Sequence, residues 1–149
     1  MPQVASALPP ACRTARTVTA FSSESFTWVP DGLKIFHESG YWQISYFMPE
    51  SDTYQGGYEK PLIDMINGLK RMNWLYLGYR RNSFRISGER LILTDWGMDF
   101  QYLDGYSLRE NAWRAWAMIN ENHYSSICEN NRGFNAFLKE IGCFESFTD

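Results

Sequence analysis

Basic residues interleaved with aromatic residues give this chain its clearest potential for binding chemistry. The basic residues are Lys70, Arg71, Arg80, Arg81, Arg85 and Arg90, with Trp74, Tyr76, Tyr79 and Phe84 among them. Guanidinium groups bind phosphates and aromatic rings stack on bases, so the pattern is compatible with single-stranded nucleic acid. A solvated helix end and hairpin face would have the same composition. The binding surface predicted from this pattern comprises Trp74, Tyr76, Tyr79, Arg80, Arg81, Phe84 and Arg85.

Cysteine and histidine residues show no catalytic or zinc-binding pattern. Cys12, Cys128 and Cys143 include no CxxC pair and have no histidine at zinc-ligand spacing. An odd number of widely spaced cysteines favours a reducing, cytoplasmic setting. His37 and His123 are isolated in sequence, so we predict no catalytic residue among them.

The stretch from Trp74 to Phe100, WLYLGYRRNSFRISGERLILTDWGMDF, combines a loop ending in Asn, a hairpin and an Asp-aromatic-Gly turn. It resembles the catalytic and metal loops of the protein-kinase-like fold, in which the Asn and the Asp hold metal ions that bridge nucleotide phosphates. Asn82 and Asp95 stand at those places, 95 − 82 = 13 positions apart, as in that family. The resemblance implies that both would be metal ligands, with Mg²⁺ and a nucleotide as cofactor only under the alternative that the domain still binds a nucleotide.

One position departs from the family pattern. The family has a catalytic Asp five positions before the Asn, where this chain has Leu77, which cannot accept a proton. The resemblance therefore implies a reduced, pseudokinase-like scaffold that has lost phosphoryl transfer and needs no cofactor. An alternative without kinship is equally open, because Asp and Gly favour turns in any protein. Asn82 would then begin a strand and Asp95 would cap a turn, with no metal.

The first half of the chain predicts antiparallel strands. Ser25–Val29, Leu33–Glu38 and Tyr41–Met48 are rich in aromatic and β-branched residues, and they are separated by Pro30-Asp31-Gly32 and by Ser39-Gly40. We therefore predict an N-terminal antiparallel β-meander.

The rest of the chain predicts helices around one hairpin. Apolar residues at helical spacing predict a helix from Lys60 through Met72, and Ser83–Ile86 with Arg90–Thr94 predict a short hairpin. A capping-box pattern begins a helix at Ser107 that runs to about Asn120, and Phe134 to Ile141 keep helical spacing. The predicted fold class is α+β, a meander followed by a mainly helical part with a short β-hairpin.

Composition sets the domain organisation and the class of partner. In 149 residues the aromatic fraction is 17% and the net charge is −3, which disfavours a duplex nucleic-acid binder. An acid-poor start containing Pro9-Pro10 predicts a flexible arm over residues 1–19, followed by one compact domain over 20–149. No apolar run approaches the length of a membrane span, so we expect a soluble protein without a membrane partner.

The absent catalytic Asp and the surplus of aromatic residues favour a non-enzymatic protein that binds another protein. An inhibitor or adaptor, of the kind that phages and mobile elements direct against host proteins, fits this size and charge. The alternatives are an enzyme or switch that binds a divalent metal and a nucleotide through Asn82 and Asp95, and a protein that binds single-stranded nucleic acid.

Overall fold

A computed structural model describes residues 3–8, 12–97, 99–102, 107–119, 136–137 and 139. Within these residues the chain is α+β, with three α-helices and several antiparallel sheets, which confirms the predicted fold class. The chain forms two compact units. The first unit comprises Met1–Tyr54 and Asn82–Phe100, and the second comprises Gln55–Arg81 and Gln101–Asp149. The division into an arm and a single domain stays a prediction.

A three-stranded antiparallel sheet dominates the first unit. Its strands are β1 (Gln3–Leu8), β2 (Asp31–Glu38) and β3 (Tyr41–Phe47), in the order β1-β3-β2. Ser39 and Gly40 join β2 to β3 with φ of 54° and 83°. Two consecutive positive φ values are typical of the tight turns that match strand twist, so the predicted turn forms as expected.

The first described residues form a strand and a helix. Residues 3–8 form β1, which pairs with β3 over its whole length, and α1 spans Cys12–Ser22. The predicted strand Ser25–Val29 is wrong, since these residues form turns after α1. The third strand of the sheet is instead β1, which lies beside β3 rather than beside β2, and its sequence shows little strand-like alternation.

The aromatic residues of that turn segment pack into the core of the first unit. Phe26 stacks on Trp28 with ring centroids 5.2 Å apart, and Trp28 lies parallel to Trp96 at 5.9 Å. Phe21 of α1 contacts both tryptophans, and Trp96 stacks on Phe100 at 5.3 Å. These five rings, named the aromatic cluster below, explain why an aromatic-rich segment need not be a strand.

A second sheet of the first unit contains the predicted hairpin. Its strands are β4 (Asp52–Thr53), β6 (Phe84–Ser87) and β7 (Arg90–Leu93), in the order β4-β6-β7. Gly88 has a φ of 61° in the turn between β6 and β7. Because this region is costly for residues with a Cβ atom, glycine suits the turn that the sequence predicts.

The second unit contains two helices and two short paired strands. The helices are α2 (Glu59–Arg71) and α3 (Ser107–Ile119), and the strands are β5 (Trp74–Tyr76) and β8 (Phe100–Tyr102), which belongs to this unit from Gln101 onward. The helical spacing in α2 places Leu62, Met65, Ile66 and Leu69 in the core, as predicted.

Parts of two sequence predictions lie outside the described residues. The Ser107 side chain of the capping box and most of the helix predicted from Phe134 to Ile141 belong to this group. Among the described residues, no helix combines the length and the apolar character required to cross a membrane.

Candidate functional site

Asn82 and Asp95 lie at the open end of the β6–β7 hairpin in the first unit. Phe84 pairs with Leu93, and one step outward the Thr94 N–H and hydroxyl both donate to the Ser83 carbonyl, at 2.8 and 3.0 Å. Residues 81–83 form a 3₁₀ turn, so Asn82 lies outside the paired strands, and Asp95 directly follows Thr94 on the other side of the hairpin end. The two residues therefore belong to the segments that lead into and out of the hairpin.

Asp95 is the charged member of this pair. Its Oδ1 accepts a 3.4 Å hydrogen bond from the Gly97 N–H, which closes the Asp-Trp-Gly turn. Burial raises the pKa of the Tyr46 hydroxyl, and the negative charge of Asp95 raises it further. A carboxylate that disfavours a neighbouring anion also favours a nearby cation.

The supply of metal ligands around this turn is small. The described part of the chain contains no group of three or more His, Cys, Asp or Glu side chains able to share a metal ion. Asn82 is exposed and Asp95 is half-buried. A cation held by this pair would need phosphate or water oxygens to complete the six ligands that Mg²⁺ requires.

Leu77, at the place of the family's catalytic Asp, belongs to the second unit. It follows β5, is half-buried and lines a cleft there. An aliphatic side chain offers neither a proton acceptor nor a metal ligand at this position.

The aromatic half of the predicted binding surface is buried. Trp74, Tyr76 and Tyr79 of the second unit and Phe84 of the first unit each have 8% or less of their surface exposed. All three residues of β5 are buried, so alternation along this strand leaves no aromatic side chain facing solvent. These four rings are core residues in this conformation, and composition alone could not distinguish core rings from exposed ones.

The arginines of the predicted surface mostly bind the protein's own backbone. In the first unit, Arg85 donates from Nε to the Ser51 hydroxyl at 2.8 Å and from Nη2 to the Ser51 carbonyl at 2.7 Å. In the second unit, Arg81 Nη2 donates to the Ile119 carbonyl at 3.2 Å. Arg80 is exposed. Because Arg81 and Arg85 already hold backbone carbonyls, phosphate binding would have to compete with these contacts.

The sequence interpretation missed the exposed aromatic residues of β3. Tyr41 is 58% exposed and Phe47 is 37% exposed, at opposite ends of the strand. Both have odd numbers, so they lie on the same face of the sheet. Lys34 and Phe36 of β2 pair with Ser45 and Gln43 on that face, and Lys34 Nζ lies 5.7 Å from the centre of the Phe36 ring. We call this face of β2 and β3 the aromatic strip.

A signal for the aromatic strip was present in the sequence. Tyr41, Gln43, Ser45 and Phe47 alternate with Trp42, Ile44 and Tyr46. The second set contains the more apolar residues, and Ile44 and Tyr46 are buried. Ser45 is the exception, because it belongs to the strip face by alternation but is only 1% exposed. Alternation therefore identifies the face that carries Tyr41 and Phe47 once the strand is recognised.

A buried hydrogen-bond network organises the second unit. Asn111 of α3 is fully buried and accepts at Oδ1 from the Tyr76 N–H at 3.0 Å and from the Tyr79 hydroxyl at 3.1 Å. Its Nδ2 donates to the Trp74 carbonyl at 2.9 Å. Burial strongly raises the pKa of Tyr79, while the positive charge of Arg114 opposes this effect. Tyr79 therefore stays neutral and holds the loop after β5 against α3.

A cleft of about 360 Å³ adjoins this network within the second unit. Leu77 and Tyr79 line it from the loop after β5, and the remaining lining residues belong to α3.

No protein-family model matches this chain, and no curated protein matches its sequence.

Proposed function

We propose that this chain is a non-enzymatic domain that binds another protein through the aromatic strip, acting as an inhibitor or adaptor. The observation that carries the proposal is the exposure of Tyr41 and Phe47 on one face of β3. Tyrosine and phenylalanine are enriched in protein interfaces because each covers a large area with few rotatable bonds.

The dimensions of the strip suit a protein partner. Tyr41 and Phe47 are six residues apart on an extended strand, which is roughly 20 Å at the usual rise per residue. Lys34 and Phe36 of β2 lie along the same face and extend the strip sideways. A contact of this length is compatible with an ordinary protein interface.

The charges near the strip favour a protein over a nucleic acid. Lys34 lies on a strand that also carries Asp31 and Glu38, both of which are exposed. The whole chain has a net charge of −3. A polyanion would be repelled by this balance, whereas a protein surface of mixed charge would not.

Affinity capture with matched variants tests the proposal. The immobilised wild-type chain should retain a specific protein from a lysate of the organism that encodes it. Tyr41→Ser should abolish retention, because it removes an exposed ring from the strip. Tyr102→Ser is the control, since Tyr102 is 53% exposed but belongs to the second unit. Retention of the same protein by both variants, or of no protein by the wild type, would reject the strip as the interface.

A second candidate function, which rests on the resemblance to the protein-kinase-like fold, is the binding of Mg²⁺ with a nucleotide. What favours it is that Asn82 and Asp95 both lie at the open end of the hairpin, where the charge of Asp95 affects the Tyr46 hydroxyl. Leu77 then makes the domain a nucleotide-dependent switch rather than a kinase.

Thermal unfolding tests this second candidate. MgATP at ten times its dissociation constant should raise the melting temperature by about 4 °C, because it stabilises only the folded chain. Asp95→Asn should remove the rise. Asp52→Asn, which changes an exposed carboxylate on β4, should keep it. Equal shifts in the two variants would mean that Asp95 is not a ligand.

A further inference from the structure

We infer that the cleft beside α3 binds a small apolar molecule carrying a carboxylate, which Arg114 recognises. The proposal is independent of the aromatic strip, because the strip lies in the first unit and this cleft lies in the second. The lining residues are Leu77, Tyr79, Glu110, Trp113, Arg114, Ala117 and Met118.

Four of the seven residues that line the cleft have apolar side chains. Trp113, Ala117 and Met118 join Leu77 in lining it, and positions 110, 113, 114 and 117 fall on one face of α3 by helical spacing. A volume of about 360 Å³ is near the lower end of the range for small-molecule sites. The cleft therefore has room for one aromatic ring or a branched alkyl group, and its mixed lining also offers contacts to a short polar end.

The Arg114 guanidinium provides a specific charged group at this wall. Its Nε donates to Glu110 Oε1 at 2.9 Å, and it makes no other hydrogen bond to a described residue. The N–H groups of the two terminal nitrogens are therefore uncommitted within the described chain. Two such donors in one plane match the two oxygens of a carboxylate.

In the first unit, by contrast, the guanidinium donors of Arg90 are bonded to the protein itself. Its Nε donates to the Thr27 carbonyl at 2.6 Å and its Nη2 donates to the Val29 carbonyl at 2.7 Å, with Asp31 at 3.4 Å. That guanidinium also lines a cleft, but its donors hold the turn before β2. The contrast indicates that Arg90 is structural and that Arg114 retains donors for a ligand.

The other polar groups of the cleft are compatible with an anionic ligand. Glu110 is the one acidic residue among those lining it, and its ion pair with Nε offsets its charge. Tyr79 stays neutral because burial raises its pKa, and its hydroxyl donates to Asn111. A ligand carboxylate would therefore meet one cation without a second, unpaired anion.

Calorimetry with 3-phenylpropionate and with its uncharged amide tests the site on the full chain. The acid should bind with a dissociation constant of about 1 mM, as expected for a ligand of this size. The amide should bind at least about tenfold more weakly, because it cannot form the charge-assisted pair. Equal affinities for acid and amide, or no binding of the acid, would overturn the proposal.

Variants locate the binding to this cleft. Arg114→Met keeps the alkyl stem but removes the charge, so it should weaken binding of the acid at least about tenfold. Arg16→Met, which removes an exposed arginine of α1, is the charge-matched control and should leave the affinity unchanged. Ala117→Phe fills the cleft and should abolish binding even if Arg114→Met unfolds the chain. Unaltered binding to Ala117→Phe would place the ligand elsewhere and reject the assignment.

Discussion

The interiors of the two units are stabilised by different interactions. In the first unit, the aromatic cluster packs ring against ring, and the Trp28 Nε1 finds no hydrogen-bond acceptor among the described residues. In the second unit, the fully buried Asn111 connects two backbone groups and the Tyr79 hydroxyl. Buried apolar area stabilises the first interior, whereas a specific set of hydrogen bonds fixes the second.

This difference indicates which amino-acid substitutions each interior should tolerate. Apolar packing depends on volume and accepts replacements of similar size at moderate cost. A buried polar network depends on donor and acceptor positions, so an isosteric replacement without polar atoms leaves its partners unsatisfied. In the first unit, the loss of side-chain volume should therefore destabilise the fold most. In the second unit, the loss of polar atoms from Asn111 should be costly even when the volume is kept.

The largest effect is expected in the aromatic cluster. Phe21→Ala should lower the free energy of unfolding by about 4 kcal/mol, because Phe21 is fully buried and contacts four rings. Urea unfolding followed by circular dichroism would measure the loss. Phe21→Leu keeps most of the volume and should cost less than half as much. A loss below about 1 kcal/mol for Phe21→Ala would show that the cluster contributes little.

A smaller effect is expected from the Asn111 network. Asn111→Leu keeps a similar shape but leaves the Tyr76 N–H and the Trp74 carbonyl without their partner. The free energy of unfolding should fall by about 3 kcal/mol in the same urea experiment. Asn67→Leu makes the same replacement at an exposed position of α2 and should change stability by less than about 0.5 kcal/mol. Equal losses in the two variants would contradict a special role for the network.

The smallest effect depends on pH. An unfolded tyrosine releases its proton near pH 10, whereas burial raises the pKa of folded Tyr79, so the folded chain keeps that proton. Stability due to Tyr79 is therefore complete below pH 10 and is lost as the pH rises, by about 1.4 kcal/mol per pH unit. Urea unfolding between pH 9 and pH 11 should show this decline. Tyr79→Phe should make the decline of stability with pH shallower. An unchanged slope would show that the Tyr79 hydroxyl does not cause the decline.

Local patterns in the sequence were sufficient to predict some of the helices and strands. α2, the β6–β7 hairpin and α3 were predicted because their apolar spacing and turn residues lie within about fifteen consecutive positions. β1 was missed because its partner β3 is some forty residues away, and long-range pairing leaves no local signal. The segment 25–29 was misassigned because an aromatic-rich run has the same composition in a strand and in a ring cluster.

The candidate sites were harder to predict than the elements. Trp74, Tyr76 and Tyr79 were predicted as a binding surface, but their burial depends on α3, which follows some thirty residues later. A single Asn in an apolar helix gives no warning that it will serve as the centre of a network. The β6–β7 hairpin, whose open end carries Asn82 and Asp95, was predicted because a hairpin register follows directly from turn length.

The first unit consists of two stretches of chain separated by residues 55–81. The Leu93 N–H donates to the Trp28 carbonyl at 2.9 Å, which joins these stretches, and the aromatic cluster needs Trp96 and Phe100 as well as Phe21. During synthesis on a ribosome, the first 54 residues would therefore emerge without the partners that complete their core. Nascent chains that end before residue 100 should expose Phe21 and Trp28 to chaperones, and the first unit should close only after both stretches have left the exit tunnel.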